Sequence, residues 1–129
     1  MSQPHALIFD DNLKNLNVLA RLLAEQSVGS TPVMNSRMID SILDSIDSID
    51  VIFLDLEMPG LNGFDVLEKL KTSPRFEHVP VVAYTVHVSE INEARRRGFH
   101  SFIGKPLDPD KFPGQLARIL RGEQVWATA

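Results

Sequence analysis

The chain predicts an α/β fold: a five-stranded parallel sheet flanked by five helices and wound on both faces. Three observations carry this. Short apolar runs alternate with stretches of helical period along the 129 residues. The third and fourth runs, Val51–Leu54 and Val79–Tyr84, are short, nearly continuous and rich in Val and Ile, as strands are when both faces are buried. Asp10, Asp11, Asp55, Thr85 and Lys105 all fall at the carboxyl ends of runs, and sites form along that edge of such a sheet.

The first run, Ala6–Phe9, leads into Asn12, a residue suited to cap a helix. Leu13, Leu16, Ala20 and Leu23 then recur on one helical face. The second run, Val28–Met34, is broken by Gly29 and Pro32. Proline cannot donate to a strand ladder, so this strand belongs at an edge. Ile39, Ile42, Leu43 and Ile46 form a second apolar face. The Asp-Ser-Ile recurrence there is spaced by three to four residues, so it reads as one amphipathic helix and not as an internal repeat. After the third run, a Pro59-Gly60 turn precedes a helix carrying Phe64, Leu67 and Leu70. Ser89 is expected to cap the fourth helix and Gly98 to end it. The fifth run is Ser101–Ile103. The helix after it is expected to begin near Asp108-Pro109 and to present Phe112, Leu116, Ile119 and Leu120. Residues 122–129 read as a tail, in which Trp126 either packs back or serves a partner.

Length implies one domain, 1–129, with a core over about 5–121. There is no cysteine, which excludes disulfides, thiolate metal sites and cysteine nucleophiles. Net charge is −4, which argues against non-specific nucleic-acid binding. No apolar run approaches the roughly 18 residues of a membrane span. Met1–His5 lacks the features of a signal peptide. A soluble, cytoplasmic protein is the expectation, with no membrane insertion.

The sheet edge carries the chemistry. Acids at the ends of two strands repel when they converge, by about 4 kcal/mol per pair at about 4 Å and an effective dielectric of roughly 20. A fold that tolerates this is using the acids to hold a divalent metal. Each residue also has a plainer reading. Asp10 and Asp11 can start a helix, Asp55 can be a turn acid, Lys105 a solvated lysine, Thr85 a cap hydroxyl and Phe102 core.

Taken together, Asp10-Asp11, the run Asp55-Leu56-Glu57-Met58-Pro59-Gly60 with Gly63, Thr85, and Lys105-Pro106 resemble the receiver domain of two-component response regulators. The resemblance covers about residues 5–121, is CheY-like, and looks most similar to the stand-alone type. It implies a flavodoxin-like strand order 2-1-3-4-5 and a cis peptide between Lys105 and Pro106. It implies that Asp55 accepts a phosphoryl group from a histidine kinase or a histidine phosphotransfer protein. It implies Mg²⁺ held by Asp11 and Asp55 directly, by the Glu57 backbone carbonyl, and by Asp10 mainly through water. Lys105 would pair with the phosphoryl oxygens, Thr85 would donate its hydroxyl to one of them, and Phe102 would turn inward as the switch aromatic. A downstream protein would read the fourth helix, fifth strand and fifth helix.

Departures from the family pattern fall around the same edge. Val86 stands where a small residue is usual and narrows access. Glu57 and His87 would tune the lifetime of the phosphoryl group. Phe99 follows Gly98 where a small residue is preferred. Arg95-Arg96-Arg97 is either a solvated helix end or a docking patch. His5, His78 and His100 lack ligand spacing and are expected at the surface. Val86 and Glu57 keep open the alternative of a phosphorylation-independent binding module. An aspartate-nucleophile hydrolase would need a cap domain for which the chain has no room. A flavin site would need small residues and free amides where Asp10-Asp11 stands.

Overall fold

The computed structural model describes residues 3–127. The sequence readings on Met1, Ser2, Thr128 and Ala129 lie outside the described residues.

Among the described residues, six strands and five α-helices follow one another: β1 (His5–Phe9), α1 (Leu13–Glu25), β2 (Gly29–Val33), α2 (Ile39–Ser45), β3 (Val51–Asp55), α3 (Gly63–Lys71), β4 (Val81–Thr85), α4 (Ile91–Arg97), β5 (Ser101–Gly104), α5 (Phe112–Leu120) and β6 (Trp126–Ala127). All pairings are parallel, in the order β2-β1-β3-β4-β5-β6. Pro32 does lie on an edge strand, β2.

Strand alternation divides the core into two layers. Leu7, Phe9, Ile52, Leu54, Ala83 and Phe102 face α2, α3 and α4. Ala6, Ile8, Val51, Phe53, Val82, Tyr84 and Ile103 face α1 and α5, where they meet Leu19, Leu23, Phe112, Leu116 and Ile119. Each fully buried Val, Leu, Ile or Phe side chain among them contributes on the order of 1.5–3 kcal/mol. A slip of one residue in any strand would swap its two layers, so burial on both faces fixes the register.

Local signals explain most helix ends. The Asn12 side chain accepts the Asn15 amide at 3.0 Å, and the Asn62 side chain accepts the Phe64 amide at 2.8 Å. Gly98 ends α4 in the left-handed region, at φ 101°.

The structure departs from the sequence reading in four places. Ser89 lies in a 3-10 turn, Val88–Glu90, and caps nothing; α4 starts two residues later. Helix α5 starts at Phe112: the Asp108 side chain accepts the Asp110 amide at 2.9 Å over a turn at 108–111, and Pro113 has no N–H with which to extend the helical ladder back to Pro109. Five strands are expected and a sixth is present: Trp126 packs back, one of its two expected outcomes, and with Ala127 forms a strand beside Phe102 and Ile103, so β5 is not the sheet edge. His5 and His100 are half-buried, His5 against the Thr31 hydroxyl at 2.6 Å and His100 against the Gly122 carbonyl at 3.2 Å. His78 is exposed as expected.

Candidate functional site

The site is a row across the carboxyl edge of the sheet. Phe9 pairs with Leu54, and Asp55 pairs with Tyr84. One step beyond Phe9, therefore, Asp10 stands beside Asp55, and Asp55 beside Tyr84. Parity places Asp10, Asp55 and Tyr84 on the α1/α5 face together with Ile103, and Lys105 follows Ile103 by two residues. Thr85 and Phe102 lie on the opposite face.

The acids converge. One ligand oxygen from each of Asp10, Asp11 and Asp55 lies within 4.8 Å of the other two. Asp10 and Asp55 are buried, and Asp11 is exposed. Lys105 Nζ bridges the two buried carboxylates, 3.2 Å from Asp10 Oδ2 and 3.3 Å from Asp55 Oδ2. Asp55 Oδ1 accepts the Glu57 amide at 2.9 Å, and Asp10 Oδ1 accepts the Asn12 amide at 2.9 Å. Burial raises the Asp55 carboxyl above its ordinary value, the Glu57 amide and Lys105 pull it down, and Asp10 adds to the rise.

Three carboxylates in reach of one point form a hard-oxygen donor set, which fits Mg²⁺. Lys105 is a single cation shared by two buried anions, so a divalent cation has charge left to neutralise.

The remaining sequence candidates divide. Thr85 is buried, and its Oγ1 accepts the His87 amide at 3.1 Å. His87 Nε2 lies 3.5 Å from Glu57 Oε1. Val86, one residue past Thr85, is 60% exposed. Phe102 is fully buried between Ala83 and Trp126 and does not reach the acids. The Lys105-Pro106 peptide is cis. Of the arginine run, Arg96 and Arg97 pair with Glu93, while Arg95 stacks over Trp126 at 4.6 Å. Phe99 is buried against Phe64, with ring centroids 5.8 Å apart.

Sequence reasoning missed Tyr84. Its hydroxyl donates to Asp10 Oδ2, and its ring lies under Lys105, with Nζ 4.2 Å from the centroid. Burial, then the bond to Asp10, pushes its phenol far above the ordinary range, so it stays a donor. The signal was a phenol closing an otherwise apolar strand, since a buried tyrosine needs a partner for its hydroxyl. Glu90 was missed as well. Its Oε2 is buried without a partner, and burial and then Glu57 raise its carboxyl.

Comparison with known proteins agrees with this geometry. The chain matches the response regulator receiver domain family over residues 6–117. It is 34% identical over 109 residues to the two-component response regulator ORR12 of Oryza sativa subsp. japonica, covering 83% of this chain and 90% of that protein. Its fold superposes on the chemotaxis response regulator CheY4 of Vibrio cholerae with a TM-score of 0.81 at 19% identity, over 92% of this chain and 99% of that one. A receiver domain of a signal transduction histidine kinase from Syntrophus aciditrophicus gives a TM-score of 0.79 at 25% identity, over 92% and 91% of the two chains. Among the described residues no helix is long and apolar enough to cross a membrane. Since the family match spans most of the chain and meets a fold of the same strand order, the chain belongs to the receiver domains of two-component response regulators, which are signalling modules.

Proposed function

We propose that the chain is a phosphorylation switch in which Asp55 accepts a phosphoryl group from a phosphohistidine. The donor is a histidine kinase or a histidine phosphotransfer protein. A carboxylate oxygen of Asp55 forms the new P–O bond, the P–N bond breaks, and its electron pair returns to the imidazole. The single observation behind this reading is the convergence of Asp10, Asp11 and Asp55 around one point with Lys105 bridging two of them.

Asp11, Asp55 and the Glu57 backbone carbonyl would hold Mg²⁺, with Asp10 acting mainly through bound water. The ion supplies charge neutralisation for two anions brought together. Lys105 supplies a point charge that can move from the carboxylate pair to phosphoryl oxygens, which needs no bidentate fork. Thr85 uses the acceptor side of its hydroxyl on the His87 amide, so its proton is free to be donated to a phosphoryl oxygen. Drawing Thr85 toward the phosphoryl group would strain that contact and disturb Val86–Glu90. Phe102, on the same sheet face two residues away in register, is then the next side chain to respond. Glu57 and His87, paired beside Asp55, tune how long the phosphoryl group survives. The output passes to a protein partner through α4, β5 and α5, or the phosphoryl group moves onward.

Incubation with Mg²⁺ and a small phosphodonor adds one phosphoryl mass to the wild type and none to Asp55→Ala. Absence of an adduct with every donor rejects the proposal.

A further inference from the structure

We infer that Tyr84 is a positioning residue that holds the acid cluster in its metal-free arrangement and competes with the divalent ion for Asp10. This rests on the metal-binding reading of the site. Four observations carry it. The Tyr84 hydroxyl donates to Asp10 Oδ2, the same oxygen that lies 3.2 Å from Lys105 Nζ. Asp10 Oδ1 is already taken by the Asn12 amide at 2.9 Å. The Tyr84 ring carries the Lys105 ammonium at 4.2 Å from its centroid. The ring is itself fixed, fully buried and edge-on to Phe53 at 6.2 Å, so the hydroxyl is aimed and not merely near.

The consequence follows from charge. The fully buried Asp10 carboxylate faces three donors: the phenol, the ammonium and the Asn12 amide. A hydrogen bond to an ionised acceptor is strongest when that charge is not shared. A divalent ion near Asp10 draws on the same charge, so the phenol stabilises the metal-free state more than the metal-bound one. Tyr84 therefore lowers the affinity of the site for Mg²⁺ while keeping Asp10 and Lys105 in place. Its ring and its hydroxyl divide this work: the ring seats Lys105 and the hydroxyl seats Asp10. A neutral donor built into the fourth strand thus sets how much metal the switch needs, without touching metal or phosphoryl group.

The test is Tyr84→Phe, which removes the hydroxyl and keeps the ring. Melting temperature is measured in EDTA and across a Mg²⁺ titration, beside the wild type and Asp10→Ala. In EDTA, Tyr84→Phe melts several degrees lower than the wild type. Saturating Mg²⁺ recovers most of that loss, and the apparent Mg²⁺ dissociation constant tightens by about fivefold, the lower end of ordinary coupling between two sites. In the Asp10→Ala background the hydroxyl no longer affects the Mg²⁺ response. An equal melting loss with and without Mg²⁺, with unchanged affinity, would show a buried hydrogen bond with no bearing on metal and overturns the inference. Weaker Mg²⁺ binding by Tyr84→Phe overturns it too, because the hydroxyl would then favour the bound state. A wild type that ignores Mg²⁺ is a different failure: it removes the metal reading itself, and the inference with it.

Discussion

Replacing Asp55 by Asn is expected to stabilise the metal-free protein at pH 7, although Asp55 is the phosphoryl acceptor of the proposed function. Asp55 is only 5% exposed. Lys105 Nζ at 3.3 Å attracts it by about 5 kcal/mol at an effective dielectric of roughly 20. Asp10 and Asp11, with oxygens within 4.8 Å, each repel it by about 3.5 kcal/mol on the same basis. The share from Asp11 is smaller in water, because Asp11 is exposed and screened. Attraction and repulsion nearly cancel, which leaves the removal of an ion from water unopposed. Asparagine keeps an acceptor for the Glu57 amide, and Lys105 keeps Asp10 at 3.2 Å. The gain is about 1–2 kcal/mol, a small part of the several kcal/mol that burying an ion costs. For a domain of this size that is about 4–7 °C. The pH dependence has a definite sign. The folded-state value of Asp55 is raised above 3.8, so on acidification the folded wild type takes up its proton before the unfolded chain does. Its stability relative to Asp55→Asn therefore recovers as pH falls through the folded value, and the gap is closed below 3.8. Thermal unfolding followed by circular dichroism, in EDTA and low salt at pH 7 and pH 4, reads both effects. Mg²⁺ should also narrow the gap, since the wild type gains more from the ion. An Asp55→Asn variant that melts below the wild type at pH 7 in EDTA, or a gap that widens in acid, refutes the reasoning.

Gly98→Ala is expected to lower stability by about 1–2 kcal/mol, because a side chain at φ 101° is strained and its Cβ would displace the Lys71 ammonium; chemical denaturation measures it. Trp126→Ala removes the parallel neighbour of Phe102 and the aromatic partner of Arg95, for a loss of about 1–3 kcal/mol. Deleting residues from Gln124 onward bares the β5 edge and is expected to produce concentration-dependent association in gel filtration. Glu57→Ala and His87→Ala each alter the half-life of the phosphoaspartate, read by the decay of the phosphorylated mass; an unchanged half-life in both removes them from rate control.

What the sequence made legible, and what it hid, follows from how far each feature's cause is spread along the chain. Strands buried on both faces must be largely apolar, so the runs Val51–Leu54 and Val79–Tyr84 announce β3 and β4. Pro32 marks an edge because the ladder has no use for it. The site acids were legible because charges closing apolar runs have no packing role. The sixth strand was hidden: two residues cannot show a period, and Trp126 is held by Phe102 and Arg95, both distant in sequence. Ser89 misled because a residue that caps helices is also at home in the 3-10 turn that precedes α4. The fifth helix was set too early because Asp108 does cap, but it caps a turn. Tyr84 was hidden by register. Only after β1, β3 and β4 are aligned does residue 84 fall in the same row as Asp10 and Asp55.

That row also explains why the cation is a lysine arriving from β5. Asp55 and Lys105 are separated by β4, so their strands lie about two spacings, roughly 10 Å, apart. A short basic side chain such as histidine could not cross that gap, and the crossing must be made over whatever β4 presents on that face. Parity puts Tyr84 there and not Thr85. An aliphatic residue would give an ammonium an apolar floor with no electrostatic return. An aromatic ring attracts it, and the phenol at the ring's far end reaches past Asp55 to Asp10. Thr85 is thereby left on the other face, its hydroxyl tied to His87 and its strand neighbour Phe102 in the opposite core layer. The two faces of one strand divide the labour: residue 84 lies among the charges of the metal-free site, and residue 85 is the one that, under the proposed function, would answer a phosphoryl group.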